Sequence, residues 1–105
     1  MKKGDIVLLP FPFTNLEGNK LRPALILISL ERDITVSFIS TKLHLKENTD
    51  LILLPNDKNG LKKESVIKLS KIATISKDLI IGQLGELTKR EIELVNKNLM
   101  ALFQI

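Results

Sequence analysis

Apolar residues in this chain come in short runs, each cut off by Gly, Pro or a polar pair before it reaches the length of a helix. Ile6 to Phe11 is the first, held between Gly4-Asp5 and Pro12, and its length and flanks favour a buried strand. Pro10 and Pro12 cannot donate to a sheet ladder, so they mark a strand end or edge. Thr14 to Lys20, T-N-L-E-G-N-K, reads as a turn-rich loop. A second strand starts at Arg22 and is entered through Pro23, and Glu31-Arg32-Asp33 turns it into a third, Ile34 to Ile39. Ser40 to Asn48 is polar and basic and reads as loop, ahead of a short strand from Leu51 to Leu54. Pro55 to Gly60, P-N-D-K-N-G, is the strongest loop signal of all. Ser65 to Ile75 is a long β-branched strand, and Ser76-Lys77-Asp78 breaks it before a last apolar run, Leu79 to Leu84.

Only the C-terminus has helical spacing. Thr88-Lys89-Arg90-Glu91 has the form of a capping box, and beyond it Ile92, Val95, Leu99, Leu102 and Phe103 fall on one stripe at 100° per residue. Lys89, Asn96 and Lys97 face elsewhere, and Leu94 falls opposite the stripe as a subunit contact or a lone exposed apolar residue. These elements predict a mainly β protein: a small, mostly antiparallel barrel in one domain over 1–105, closed by a C-terminal helix over about 88–103. At 105 residues such a domain buries roughly 65% of its extended surface, enough for a core without staples.

Composition narrows the chemistry. Four Phe with no Trp or Tyr leave few rings for base stacking, so a stacking-based single-strand binder is disfavoured. The absence of cysteine removes disulfides and thiolate metal sites, and fits a reducing compartment. Met1-Lys2-Lys3 leads straight into Gly4-Asp5 without the apolar run of a signal peptide, and no run approaches a membrane span. A cytoplasmic protein with no membrane partner is therefore expected. Lys and Arg total 16 against 12 Asp and Glu, a net charge of +4 whose sign suits a polyanion, although a solvated basic surface explains it equally well.

No G-x-x-x-x-G-K-[ST], G-x-G-x-x-G or H-E-x-x-H is present, which removes the sequence handles for P-loop hydrolysis, dinucleotide binding and zinc-protease chemistry. A lone histidine, His44, excludes a two-histidine acid and base pair and is poor material for a metal site. In its loop His44 is either solvated or in contact with phosphate. What remains is an arginine, some hydroxyls and some lysines. Arg22 stands at the seam between the polar loop and an apolar strand, where its guanidinium either pairs with a carboxylate or holds a phosphate. This inventory suits metal-free RNA cleavage, in which the substrate's own 2′-OH attacks the adjacent phosphorus and the protein supplies positioning and donors. Arginine is a poor general base, so Arg22 is better cast as charge stabiliser or proton donor.

The segment Gly4 to Leu27, G-D-I-V-L-L-P-F-P-F-T-N-L-E-G-N-K-L-R-P-A-L-I-L, resembles the opening of the MazF/PemK toxins of toxin-antitoxin systems, whose signature is G-D-I/V, a loop, then R-P-x-L/V-x-L/I. A second block, Gly60 to Ile75, is similar to the family's S-V-I/V-x-x-x-K/Q-I-x-T-I/L strand, so the resemblance covers nearly the whole chain. It implies an SH3-like barrel of the CcdB/MazF/PemK type. It further implies a homodimer that cuts single-stranded RNA selectively without metal or other cofactor, a cognate antitoxin covering the RNA groove, and DNA contact only through the antitoxin complex. Arg22 matches the family's catalytic arginine. Ser40 stands where the family commonly has threonine in an I-T-S or I-T-G pattern, with Thr41 the reserve, since this chain reads Ile39-Ser40-Thr41. Thr14, Asn15, Lys20, Lys42 and His44 would line the RNA path by proximity. Lys71, in Ser70-Lys71-Ile72-Ala73-Thr74, replaces a base-reading amide of an E-Q-I-R-T strand with a phosphate-reading charge. Two alternatives stay open: a non-catalytic gyrase poison in the manner of CcdB, and an inactive paralogue that binds only RNA or an antitoxin.

Overall fold

Gly4 sets the chain into its first strand. Its φ of +96° is a conformation that side chains resist, and a Cβ there would lie 2.6 Å from Ile92 Cδ1 on the helix above. Its N–H donates to Ile26 O at 2.9 Å and its carbonyl accepts from Leu87 N–H at 2.8 Å, so one residue joins three elements. In the computed structural model, which describes residues 1–11 and 20–105, six strands follow: β1 (Asp5–Phe11), β2 (Lys20–Ser29), β3 (Asp33–Ser40), β4 (Leu51–Leu53), β5 (Ser65–Ser76) and β6 (Gly82–Glu86). The helix α1 (Lys89–Phe103) comes last. The expected loop from Thr14 to Lys20 lies, up to residue 19, outside the described residues.

The strands make one antiparallel sheet in the order β4-β5-β3-β2-β1-β6, which curls into a half-barrel. Both faces are apolar in the middle. Ile6, Leu25, Ile39, Ile67 and Leu69 point beneath the helix and meet Val95, whereas Val7, Leu9, Ala24, Ile26, Ile34 and Val36 form a second core on the other face. A strand that buries both faces reads as a continuous apolar run, which is how Ala24 to Leu27 is written. Thr88 Oγ1 accepts from Glu91 N–H at 3.1 Å while Glu91 Oε1 accepts from Thr88 N–H at 2.8 Å, so the capping box is present.

Five sequence expectations change. β2 begins at Lys20 rather than Arg22, because Lys20 and Leu21 still pair with Phe11 and Pro10. The run expected as a strand from Leu79 to Leu84 is divided: Lys77–Leu79 is a 3₁₀ turn, capped by Ser76 Oγ, and β6 starts only at Gly82. Ser40 to Asn48 is not all irregular, since Leu43–Leu45 forms a 3₁₀ turn that includes His44. On the helix, Ile92, Leu99 and Leu102 pack on the core around Val95 as their spacing requires, but Phe103 is 55% exposed. It is the final helical residue and, with Leu27, Ile28, Ile72 and Met100, lines an open groove of about 560 Å³. Asn96 also borders that groove, half-buried rather than turned away, and its Oδ1 has no hydrogen-bond partner among the described residues.

Candidate active site

Pro23 decides how β2 presents its arginine. Lacking an N–H, it cannot extend a ladder on its amide side, and the β2–β3 pairs stop at Ala24↔Phe38 while the β1 side continues through Leu8↔Pro23 and Leu9↔Arg22. Carrying the β2–β3 register two residues further sets Arg22 level with Ser40, the last residue of β3, which itself pairs with Val66 of β5. Residues level across a sheet project from the same face, and side chains alternate along a strand. Arg22 and Ser40 therefore belong to the face that carries Leu9, Ala24 and Phe38, at the open end of the second core.

Arg22 is half-buried and, among the described residues, its guanidinium has neither an ion pair nor a hydrogen bond. The carboxylate-paired arginine that spacing alone allows is thus absent among those residues. Ser40 is half-buried too, and its Oγ accepts from Lys42 N–H at 3.0 Å. That bond occupies an acceptor position and leaves the hydroxyl proton free to donate outward. Thr41 is exposed, and its hydroxyl has no partner among the described residues. Lys20 lies on the strand end beside Arg22, opposite Phe11. Lys42 and His44 are exposed on the segment that leaves β3.

Lys71 is placed differently. Between Ser37↔Ile72 and Phe38↔Lys68 the β3–β5 register slips, so residues 69–71 bulge out of β5 and carry Lys71, exposed, past the Ser40 level toward the middle of β3. Ser37 Oγ donates to Leu69 O at 3.3 Å inside the bulge. Thr14 and Asn15 lie outside the described residues. Arg22, Ser40, Thr41, Lys20, Lys42 and His44 thus gather at one end of β2 and β3, with Lys71 farther along. The apolar groove is at the opposite end, by Ile28 and Thr35.

Sequence reasoning missed the best-ordered polar group near this end. Lys68 is 6% exposed, and its three ammonium donors reach Leu45 O at 2.5 Å, Asp50 Oδ2 at 2.6 Å and Glu47 Oε1 at 3.2 Å. The fully buried Asp50 carboxylate accepts in addition from Glu47 N–H at 2.9 Å and, through Oδ1, from Leu69 N–H at 3.0 Å. Burial pushes the Lys68 ammonium down, but the hydrogen bonds it donates to Asp50 and Glu47 outweigh that and hold it above the ordinary lysine value of 10.5. The available signal was one charge inside an otherwise apolar strand core, V-I-K-L. Among the described residues no three His, Asp or Glu side chains cluster as metal ligands, and no helix is long and apolar enough to cross a membrane.

Solved structures share this half-barrel with its closing helix. An endoribonuclease in complex with its cognate antitoxin from a mycobacterial species superposes with a TM-score of 0.77 at 19% identity, covering 100% of this chain and 96% of that one. Toxin MazF-mt6 of Mycobacterium tuberculosis gives 0.75 at 21% identity, covering 96% of this chain and 97% of that one. MazF of Deinococcus radiodurans gives 0.75 at 19% identity, covering 100% and 97%. No curated relative matches the sequence. The sequence profile of the PemK-like, MazF-like toxins of type II toxin-antitoxin systems matches residues 2–103, and the chain belongs to that family.

Proposed function

We propose that this toxin is a metal-independent endoribonuclease that cuts single-stranded RNA by attack of the substrate's 2′-OH on the adjacent phosphorus. The observation that carries the reading is that Arg22 and Ser40 lie at the same end of β2 and β3: a guanidinium with no carboxylate partner among the described residues, and, level with it when the β2–β3 register is extended, a hydroxyl whose proton is left free by the Lys42 amide. As the 2′-oxygen bonds to phosphorus, negative charge builds on the non-bridging oxygens. Arg22 meets it with a planar fork of donors, and Ser40 adds one more, with Thr41 next in line. The 2′-OH gives its proton to solvent water, and the 5′-oxygen departs with the electrons of its bond to phosphorus and takes up a proton in turn, leaving a 2′,3′-cyclic phosphate, or a 3′-phosphate after hydrolysis, and a 5′-OH end. Lys20, Lys42 and His44 supply the sequence-independent attraction to the phosphate backbone, with Lys71 farther along the strand. Family membership, and a solved relative that carries its antitoxin, support a cognate antitoxin as protein partner and a cytoplasmic homodimer as the working form.

The test is incubation of the purified chain with a mixed RNA pool in EDTA, followed by end analysis. Cleavage with 5′-OH ends is expected; a strict metal requirement or 5′-phosphate ends would overturn the mechanism. Intact RNA together with inhibited gyrase would point instead to a non-catalytic poison.

A further inference from the structure

Ser40 is oriented by the Lys42 amide, so whatever fixes Lys42 fixes the hydroxyl. Among the described residues, the backbone–backbone bonds from Thr41 to Asp50 are all local: Leu43 N–H to Thr41 O, Leu45 N–H to Lys42 O, Lys46 N–H to Leu43 O and Asp50 N–H to Glu47 O. Such a short stretch of turn does not hold a position in water unaided. It is pinned at its far end by Lys68, and Asn98 Nδ2 of α1 adds a bond to Thr49 O at 3.0 Å. This lysine pairs with Phe38 across the β3–β5 ladder, two residues from the Ser40↔Val66 pair and on the same face. Its ammonium binds the carbonyl of Leu45, which ends the turn bearing His44, and both carboxylates that follow, Glu47 and Asp50. Asp50 in turn grips β5 through the Leu69 N–H that the bulge released from the ladder.

We infer that Lys68 is a positioning residue for RNA cleavage: its buried ammonium fastens the Thr41–Asp50 segment to β5 and so sets the Ser40 hydroxyl, the Lys42 charge and the His44 ring where the scissile phosphate binds. This rests on the endoribonuclease reading, and no group of Lys68 touches the substrate. All three of its donors are taken by the Leu45 carbonyl and the Glu47 and Asp50 carboxylates, so the ammonium is spent on the segment alone. A displacement of about 1 Å in a catalytic donor can cost about a hundredfold in rate, which makes the anchor a determinant of turnover.

Lys68→Met alone strands the buried Asp50 carboxylate and endangers folding, so it is compared with Lys68→Met/Asp50→Leu, in which both charges are gone. Each full-length variant is assayed on a labelled oligoribonucleotide across a salt series, with kcat and KM separated. The thermal midpoint is recorded, and amide exchange is read at Lys42 and Leu45, which are not substituted. The double variant is expected to stay folded, to lose at least about tenfold in kcat, to bind RNA with a salt slope smaller by up to about 0.7, and to exchange the Lys42 and Leu45 amides faster while core amides such as Leu25 keep their protection. A merely structural role moves the thermal midpoint and the active fraction but leaves KM and the salt slope as they were. Wild-type kcat, KM and salt slope in the folded double variant would overturn the inference, as would unchanged exchange at Lys42 and Leu45. If the wild-type chain cleaves no RNA, the endoribonuclease reading fails by itself, and the exchange data still decide whether Lys68 holds the segment.

Discussion

Arg22 and Ser40 ask different things of a substitution. Lysine at position 22 keeps the charge but loses the fork, so Arg22→Lys should retain RNA binding while kcat falls by about tenfold or more. Arg22→Ala should lose roughly 10²–10³-fold in kcat, as when one preorganised donor is removed elsewhere. Because Arg22 makes no ion pair among the described residues, its removal should change stability by no more than about 0.5 kcal/mol by urea denaturation. Ser40→Thr preserves one hydroxyl on a stiffer side chain and should keep activity within a few-fold, whereas Ser40→Ala should not. Retained activity in Ser40→Ala, with loss in Thr41→Ala, would move the donor one residue along. Arg22 was legible from its place beside Pro23, because the motif lies within a few residues of chain. The state of Ser40 was not, since its acceptor role depends on the turn that follows β3.

At the scale of elements, helix α1 and the Lys68 anchor make separate predictions. Thr88→Ala removes half of the capping box and should cost about 1 kcal/mol, seen as a lower urea midpoint at constant slope. Lys68 has its folded value raised above 10.5, so its contribution to stability is complete below that pH and is lost as pH rises through the folded value. The thermal midpoint should therefore hold through neutral pH and fall at alkaline pH, and Lys68→Met/Asp50→Leu should flatten that fall. Asp5 behaves in the opposite sense. Burial raises it, but hydrogen bonds from the Lys2 side chain and backbone prevail and hold it below 3.8, so its share is lost as pH drops through the lowered value. The capping box was readable because its two partners are three residues apart. The bulge in β5 was not, because V-I-K-L-S-K-I-A-T-I reads as one unbroken strand until β3 is laid beside it.

For the molecule as a whole, the charge distribution matters more than the total. Net charge is only +4, yet Lys20, Arg22 and Lys42 are set toward one end of β2 and β3, away from the apolar groove at the other. RNA binding should weaken steeply with salt, with a log–log slope of about −0.7 for each phosphate neutralised on a single strand, and Lys42→Ala should make it shallower by about that amount. Sedimentation would show whether the working unit is the expected homodimer.

By itself the sequence determined what depends on neighbours along the chain: the strand runs between Gly and Pro, the helix start at Thr88, and the arginine locked beside Pro23. Sterics, missing donors and local capping bonds act over a few residues, so they are written in the order of the letters. Only the tertiary structure decided that Ser40 and Arg22 lie at the same end of neighbouring strands, and that Lys68 meets Asp50, 18 positions away, to fasten the segment between them and the sheet. Those facts come from strand register and one bulge, which are set by packing two cores against opposite faces of a single sheet.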